Sequence, residues 1–378
     1  SASNPGSTVW ECVWGNDGKT ALNASKNRIA EIVGDNHVYP PYPYDPAERE
    51  KIRTWGRGTK PCFLSEFGMG SLLNVVDACL DYECRGISPD APDYALMRSI
   101  RDRFLADWSR YGLDRVFASP ADFLRASDRM NARSRRDGFD LVRANPRHVG
   151  HNMTGALDHA ICGEGPITFF RRIKPENFDA VADGWSDLRW CLFLDRGHYF
   201  ADETPAAEAV LADFDVLADG DYEATFSVTD EAGVREWSRT VRFSVPQKDE
   251  DGLRAVAYPV FKGRVFADLK PGRHVLHAEL NRGGFAAAHE KAFWVSERPV
   301  VPKPPADFVE LRKGDEPQFA AAMAKVAAGA TALVHLDDWR NGGELKGLPV
   351  EDLRVRYETL WLYHSDAVVL PHAFTEGM

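Results

Sequence analysis

The chain has 378 residues, of which 44% are hydrophobic and 27% are charged, and its formal net charge is -11. This length suits two or three domains of roughly 100–200 residues each. The acidic balance argues against nucleic acid or an anionic membrane as a main partner, because neither attracts a negative surface. No apolar run approaches the roughly 20 residues that a membrane helix requires.

The first part of the chain, residues 1–185, mixes short apolar strands with helical patterns. Strands are predicted within 31–40, 61–68 and 148–159, and each of them leads into polar residues. Strands that alternate with helices are typical of parallel βα units.

The clearest helix of this part is predicted over 92–112. Asp93 is the expected N-cap and Gly112 the expected stop. The apolar side chains recur at spacings of three and four, which predicts one buried face made of Leu96, Ile100, Phe104, Trp108 and Tyr111.

The pattern changes over residues 186–298. Segments 222–228, 240–245 and 275–280 alternate apolar and polar residues, with Gly, Asp and Pro turn signals between them. This pattern predicts an antiparallel sandwich of about 110 residues. The stretches 217–222 and 269–274 resemble each other and are interpreted as equivalent entries from a turn into a strand.

Residues 299–378 begin with a proline-rich linker. A helix is predicted over 316–330, ending near Gly329, and a buried strand over 331–336. One helix and one strand do not complete a doubly wound sheet, so a partial α/β domain is expected here.

The six cysteines, Cys12, Cys62, Cys79, Cys84, Cys162 and Cys191, form no CxxC pair. Cys62 and Cys191 lie inside apolar runs, which favours buried free thiols. Cys79 and Cys84 could bridge in an oxidising compartment, and the sequence leaves that pairing open.

A carboxylate, Glu66, follows the apolar run that begins at Cys62. Gly68 and Gly70 allow the backbone to turn sharply just after it. Parallel-barrel enzymes keep their chemistry at the carboxyl ends of strands. The three strand ends therefore predict one site, with Glu66 as its catalytic group and with substrate-binding side chains at Asp35, Asn36, His37, Tyr39, His151, Asn152 and Asp158.

The alternative for each of these residues is structural. A single glutamate after a strand is commonly a solvated loop residue or an ion-pair partner, and His37 alone is commonly a hydrogen-bonded structural residue. No pair of His and Asp has metal-ligand spacing on one helix face, and neither a glycine-rich phosphate loop nor a GxSxG motif is present. The sequence therefore predicts no metal and no cofactor.

The stretch "KPCFLSEFGMGSL" (60–72) resembles the nucleophile segment of glycoside hydrolase family 2, the β-galactosidase, β-glucuronidase and β-mannosidase group. In that family an SE[FY]G sequence ends the seventh strand of a (β/α)8 TIM barrel, and its glutamate matches Glu66. "GDNHVYPPYPYD" (34–45) resembles the sixth strand, which would direct Asp35, His37 and Tyr39 toward a sugar. The segment 148–183 resembles the eighth strand and the closing helix.

The resemblance implies three domains. Residues 1–185 would be the C-terminal half of the TIM barrel, residues 186–298 an immunoglobulin-like β-sandwich, and residues 299–378 a linker with part of a flavodoxin- or amidotransferase-like domain. It also implies a retaining hydrolase of terminal β-glycosides, similar to a β-galactosidase. The reaction would pass through a covalent glycosyl-enzyme on Glu66.

One feature departs from the family pattern. The family's acid/base residue stands in an Asn-Glu pair, and this chain has no such pair. Asp17 stands in a similar context but lies too few residues before the first predicted strand, since a barrel unit takes about 30 residues. The expectation is that the chain begins inside the fifth barrel unit, needs the missing N-terminal half as a partner, and is inactive alone.

The second hypothesis is a non-catalytic carbohydrate-binding or scaffold protein on a family 2-like fold. The missing Asn-Glu pair favours it, and the intact "SEFG" (65–68) opposes it. A carbohydrate partner is expected in either case, and a homo-oligomer is compatible with both. The resemblance alone favours the periplasm or the cell exterior.

Overall fold

A computed structural model describes residues 34–40, 42–56, 62–68, 70–153, 155–159, 161–248, 252, 254–281, 288–300, 308–311 and 316–334. The described residues fall into two compact units, one that extends to Arg298 and one that begins after it. Within the described residues, no helix combines the length and apolarity needed to cross a membrane.

The first unit opens with a three-stranded parallel sheet in the order β1-β2-β3. Its strands are β1 (Gly34–Val38), β2 (Cys62–Phe67) and β3 (His148–His151). The helices that accompany it are α1 (Pro46–Thr54), α2 (Val75–Cys84), α3 (Pro92–Arg110), α4 (Pro120–Arg143) and α5 (Pro175–Gly184), with a 3-10 turn at Leu113–Arg115. The three predicted strands and the predicted helix α3 are confirmed.

Local sequence explains where these helices begin. Asp45, Asn74 and Ser119 cap α1, α2 and α4 by accepting a hydrogen bond from a backbone N–H of the first turn. The expected cap of α3 is wrong: Ala91 occupies the N-cap position, and Asp93 lies within the first turn. Pro92 starts this helix instead, since proline's fixed φ suits the first helical position.

The predicted apolar face of α3 is only partly buried. Trp108 is 8% exposed, whereas Leu96 and Tyr111 are 49% and 54% exposed. Helix α3 packs on α2, and their shared cluster includes Cys79, Tyr94 and Met97. Gly112 follows the helix in a left-handed conformation (φ +61°), as its predicted role as a stop requires.

Helix α4 was not predicted, although it is the longest helix of the described chain. Its buried face carries charged residues, Arg135, Asp140 and Arg143, among apolar ones such as Phe139 and Leu141. These charges obscure the 3.6-residue hydrophobic period on which the prediction of a helix depends.

Two sheets follow and form the predicted sandwich, and their strands pair antiparallel except for β5, which pairs in parallel with β11. One sheet has the order β4-β6-β9 and the other β5-β11-β10-β7-β8. Their strands are β4 (Leu188–Leu194), β5 (His198–Phe200), β6 (Ala206–Asp213), β7 (Gly220–Thr229), β8 (Arg235–Val245), β9 (Ala257–Arg264), β10 (Gly272–Asn281) and β11 (Ala288–Ser296).

The two sheets enclose one apolar core. It contains Trp190, Tyr258 and Phe261 from the first sheet and Phe226 and Phe293 from the second, all at most 5% exposed. Leu217 and Leu269 are both buried in it, and Gly220 and Gly272 have similar φ angles of +155° and +146°. The two resembling stretches therefore do enter the sandwich in the same way.

A second cluster joins the sandwich to the parallel sheet. It brings Cys191, Phe193 and Val210 of the sandwich against Leu141 of α4 and Leu64 of β2. The sheet β4-β6-β9 is thus covered on both faces, which explains why β4 is apolar on both sides from Trp190 to Leu194.

No disulfide joins the cysteines that the structure describes. Cys62 and Cys191 are fully buried, as expected, and Cys79 and Cys84 are not joined by a disulfide.

The second unit contains a parallel pair of strands, β12 (Val309–Leu311) and β13 (Ala332–Val334), linked by helix α6 (Glu316–Ala327). The predicted helix and the start of the predicted strand are confirmed. Gly329 follows the helix with φ +101°. The rest of the predicted strand, 335–336, lies outside the described residues.

Candidate functional site

Glu66 lies near the carboxyl end of β2, where the pairing with β1 is irregular. Asn36 pairs with Leu64 and His37 pairs with Glu66, so Ser65 is an extra residue on β2. An extra residue of this kind is a β-bulge, which redirects the side chains that follow it.

The bulge directs Glu66 away from the hydrophobic core. Leu64 and Phe67 are three residues apart, yet both are buried in the cluster that contains Tyr44 and Leu141. Side chains alternate along a regular strand, so the extra residue allows both to face the helices. Glu66 directly precedes Phe67 and therefore lies on the opposite, inner face of the sheet.

Phe67 is fixed by a close approach to helix α4. A Cβ atom added at Gly138 would lie 2.6 Å from the ring of Phe67 and 2.7 Å from the hydroxyl oxygen of Tyr44. Real side chains do not approach this closely, so only glycine allows this packing. The glycine thereby helps to set the end of the strand that carries Glu66.

Tyr39 contacts the carboxylate of Glu66. It follows β1 directly, and its hydroxyl donates a hydrogen bond to Oε2 of Glu66. Both side chains are half-buried. Two predicted site residues from neighbouring strand ends are therefore brought together, and the phenol orients the carboxylate.

Three other predicted residues belong to β1 itself. The backbones of Asp35, Asn36 and His37 pair with Phe63, Leu64 and Glu66 in the parallel sheet. Their side chains lie outside the described part of the structure, so their predicted contacts with substrate stay predictions.

His151 lies on the other face of the sheet, among the helices. Its Cα is paired with that of Leu64, its ring centroid is 5.2 Å from that of Phe139, and its Nε2 accepts a hydrogen bond of 2.5 Å from Nε1 of Trp185. Burial, together with the positive charges of Arg143 and Arg189, lowers the pKa of His151 to about 4. These contacts are those of a neutral structural histidine, and they do not bring it to Glu66.

Asn152 and Asp158 also differ in their surroundings. The side chain of Asn152 is exposed, and its backbone N–H donates to the carbonyl of Leu64 at 2.7 Å. Asp158 is 4% exposed and lies 2.8 Å from Nζ of Lys174. Burial raises the pKa of Asp158 to about 6, although the Lys174 charge opposes that shift.

Asp158 belongs to a buried polar network that sequence spacing did not predict. Lys174 also lies 3.1 Å from Asp128 and donates to the carbonyl of Gly163 at 2.7 Å. Arg135 of α4 donates to the carbonyl of Glu164 and, at 3.0 Å, to Asn177. The members come from α4, the loop after β3 and α5, so no local spacing could have indicated their contact.

The carboxylate of Glu164 is held in the same region. Its Oε1 is 2.7 Å from Nε2 of His159, and its side chain is nearly inaccessible to solvent. In the described part of the chain, no group of three or more His, Cys, Asp and Glu residues is arranged to hold a metal ion.

No family model matches the chain, and no curated protein matches it. Among solved structures, it is similar to β-glucuronidase from Bacteroides uniformis, with 14% identity and a TM-score of 0.25 over 75% of this chain and 28% of that one. It is also similar to an endo-β-1,4-mannanase from Thermotoga petrophila, with 14% identity and a TM-score of 0.29 over 71% of this chain and 48% of that one.

A further match is the cohesin module of a family 33 glycoside hydrolase from Clostridium perfringens, with 13% identity and a TM-score of 0.21. It covers 30% of this chain and 99% of that one. These neighbours are glycosidases or come from one, and the chain spans less than a third of the B. uniformis enzyme. With TM-scores below 0.5, the likenesses decide neither fold nor chemistry.

Proposed function

We propose that the chain is the C-terminal portion of a retaining β-glycosidase of the family 2 type, with Glu66 as the nucleophile. The observation that carries this proposal is the placement of Glu66 on the inner face of a parallel sheet, near a strand's carboxyl end, with Tyr39 donating to its carboxylate. Enzymes built on parallel barrels hold their reacting groups at this position.

The proposed chemistry has two displacement steps. A carboxylate oxygen of Glu66 attacks the anomeric carbon, and the bond from that carbon to the leaving oxygen breaks. A second carboxylic acid protonates the leaving group, and water then hydrolyses the glycosyl ester. Tyr39 is a positioning residue in this scheme, since its hydroxyl fixes one oxygen of the nucleophile.

The acid/base residue is proposed to come from sequence upstream of the 378 residues of this chain. The reason is that the family's acid/base residue stands in an Asn-Glu pair, which the 378 residues do not contain. The immunoglobulin-like assignment of the sandwich and the flavodoxin- or amidotransferase-like assignment of the second unit belong to the same proposal. So does a β-galactosidase-like cleavage of terminal β-glycosides.

The proposal is tested by trapping the intermediate in the full natural chain that contains these residues. The protein is treated with 2-deoxy-2-fluoro glycosides in galacto, gluco, glucurono and manno forms, and its intact mass is measured. We expect a gain of one sugar, located on the peptide with Glu66 and absent in Glu66→Gln. Glu50→Gln, an exposed change on α1, should label like the parent.

The role of Tyr39 has its own comparison. We expect Tyr39→Phe to slow labelling about 10–100-fold, because the nucleophile loses its orientation. Tyr222→Phe removes a hydroxyl that contacts the carbonyl of Ala218 in the sandwich and should not change the rate. A folded protein that gains no sugar from any of the four reagents would overturn the enzyme proposal and favour the binding-protein alternative.

A further inference from the structure

A cavity of about 610 Å³ lies between helix α4 and the sandwich. Its volume falls in the range of small-molecule sites, roughly 300–1,000 Å³. Six basic side chains line it against three acidic ones, namely Arg49, Arg133, Arg136, Arg196, Arg273 and Lys291 against Asp137, Asp140 and Glu290. The whole chain has 46 basic and 57 acidic residues. The lining of the cavity is therefore basic in a protein that is acidic as a whole.

Two of the acidic groups are already neutralised within the protein. Nζ of Lys291 lies 2.8 Å from Asp137 and 3.1 Å from Asp140. Tyr42 also donates to Asp137 at 2.7 Å, and Arg189 donates to Asp140 at 2.9 Å. Burial by itself would raise the pKa of Asp137, but Lys291 and Tyr42 hold that pKa below its ordinary value. Neither carboxylate therefore serves to balance the arginines.

Three arginines of the lining are not engaged in this way. Arg133, Arg136 and Arg273 make no hydrogen bond or ion pair with another residue that the structure describes. Arg133 and Arg136 are three residues apart on α4, a spacing that places them on one face of the helix. A guanidinium presents a planar fork of donors that matches carboxylate, sulfate and phosphate groups.

An aromatic surface accompanies these charges. Trp294 lines the cavity, is 55% exposed, and lies directly opposite Arg273 in the pairing of β10 with β11. An exposed indole next to a guanidinium offers a flat apolar surface and an anion-binding group at the same place. A ring that carries acidic groups would contact both.

We infer that this cavity binds an acidic sugar of about two rings, with its carboxylate or sulfate groups on Arg133, Arg136 and Arg273 and one ring against Trp294. Neither Glu66 nor Tyr39 lines the cavity, so the site is independent of the proposed catalytic carboxylate. Carboxylated and sulfated sugars share the chemistry that the arginines recognise.

The test is calorimetric titration of the full chain at low and at physiological salt. The probes are a hexuronic acid disaccharide, a sulfated disaccharide and neutral maltose. We expect saturable binding of at least one acidic probe, weakened by salt because the contacts are ionic, and none of maltose. The stronger of the two acidic probes identifies the preferred group.

Two double variants separate a built site from general charge attraction. Arg133→Gln with Arg136→Gln should weaken binding at least about tenfold, which corresponds to ~1.4 kcal/mol. Arg103→Gln with Arg110→Gln makes the same charge change on the exposed side of α3 and should leave the affinity unchanged. Trp294→Ala tests the ring contact and should also weaken binding.

The inference would be overturned if both double variants bound the acidic probe with equal affinity. It would also be overturned if neither acidic probe showed saturable binding. Circular dichroism of each variant shows whether the fold is kept. If the α4 variant does not fold, Arg273→Gln on β10 replaces it in the same comparison.

Discussion

The sandwich and the parallel-sheet region solve the problem of burial in different ways. The sandwich encloses an apolar core in which Phe226, Tyr258 and Phe293 are fully buried. In the parallel-sheet region, α4 instead buries Arg135, Asp140 and Arg143 beside apolar residues. Buried charges carry a large desolvation cost and remain only with well-placed partners, so helix α4 depends on directional contacts as well as on packing.

The two regions also differ in how well their secondary structure can be predicted from the sequence. Alternation along 222–228, 240–245 and 275–280 predicted strands that the structure has. Helix α4 was missed because its inward face mixes both residue types. Substitutions in each region measure whether the two regions also differ in the free energy of unfolding that their side chains contribute.

The largest expected effect is removal of an aromatic ring from the sandwich core. Phe226 is fully buried, with its ring 5.0 Å from that of Phe261 and 5.4 Å from that of Trp190. Phe226→Ala should reduce the free energy of unfolding by about 3–5 kcal/mol. Phe63→Ala, on the half-exposed inner face of the parallel sheet, should cost less than about 1 kcal/mol. Urea unfolding measures both free energies. Equal losses in the two variants would contradict a larger contribution from the sandwich core.

The next largest effect concerns the ion pairs that join the regions. Arg189 of β4 is 3% exposed and lies 2.9 Å from Asp140 and 2.8 Å from Asp183. Arg189→Met should reduce the free energy of unfolding by about 3 kcal/mol, because Asp140 stays buried with one cation fewer. Arg242→Met is the control: this exposed arginine lies 3.4 Å from Glu223, and its loss should cost at most about 1 kcal/mol. If both variants lost a similar free energy of unfolding, burial would not be the cause of the loss in Arg189→Met.

A pH effect is expected from the histidines of the parallel-sheet region. The folded-state pKa of His151 is about 4, below its usual 6.5, so the unfolded chain binds more protons between these values. Stability therefore falls as pH decreases through this window, by up to about 1.4 kcal/mol per pH unit for this group. Asp158 acts in the opposite sense, since its pKa is raised to about 6 and its contribution weakens as pH rises toward that value.

The variant His151→Phe isolates the histidine. It keeps an aromatic ring beside Phe139 and Trp185 and removes the titration. The free energy of unfolding of the variant, relative to that of the parent, should be constant above pH 7. It should rise as the pH falls from 6 to 4.5, because only the parent loses stability through the histidine. Unfolding curves at four pH values measure it, and parallel curves would contradict the assigned role.

The smallest expected effect tests the contact that sets the end of β2. Gly138→Ala forces a methyl group against Phe67 and Tyr44, at a cost of about 1–3 kcal/mol. The better helix propensity of alanine offsets about 1 kcal/mol of this. We expect a net loss near 1 kcal/mol and slower labelling of Glu66, since Phe67 adjoins it. Gly197→Ala in the sandwich meets no atom within 4 Å and should change neither quantity.

The sequence by itself determined the local features of this protein. Period-two alternation specified the sandwich strands, and Asp45, Asn74 and Ser119 specified helix starts through their side-chain oxygens. The run from Cys62 to Phe67 specified a strand with a carboxylate near its end. Each of these features depends on interactions between residues that are close in the chain.

Only the tertiary structure decided which side chains meet. The bulge at Ser65 turns Glu66 toward Tyr39. The pairing of His151 with Leu64 instead directs the side chain of His151 to the opposite face of the sheet. A shift of one residue in strand pairing exchanges the two faces, and no spacing along the chain records that shift. The arginines of the cavity likewise come from α1, α4 and the sandwich, and packing alone brings them together.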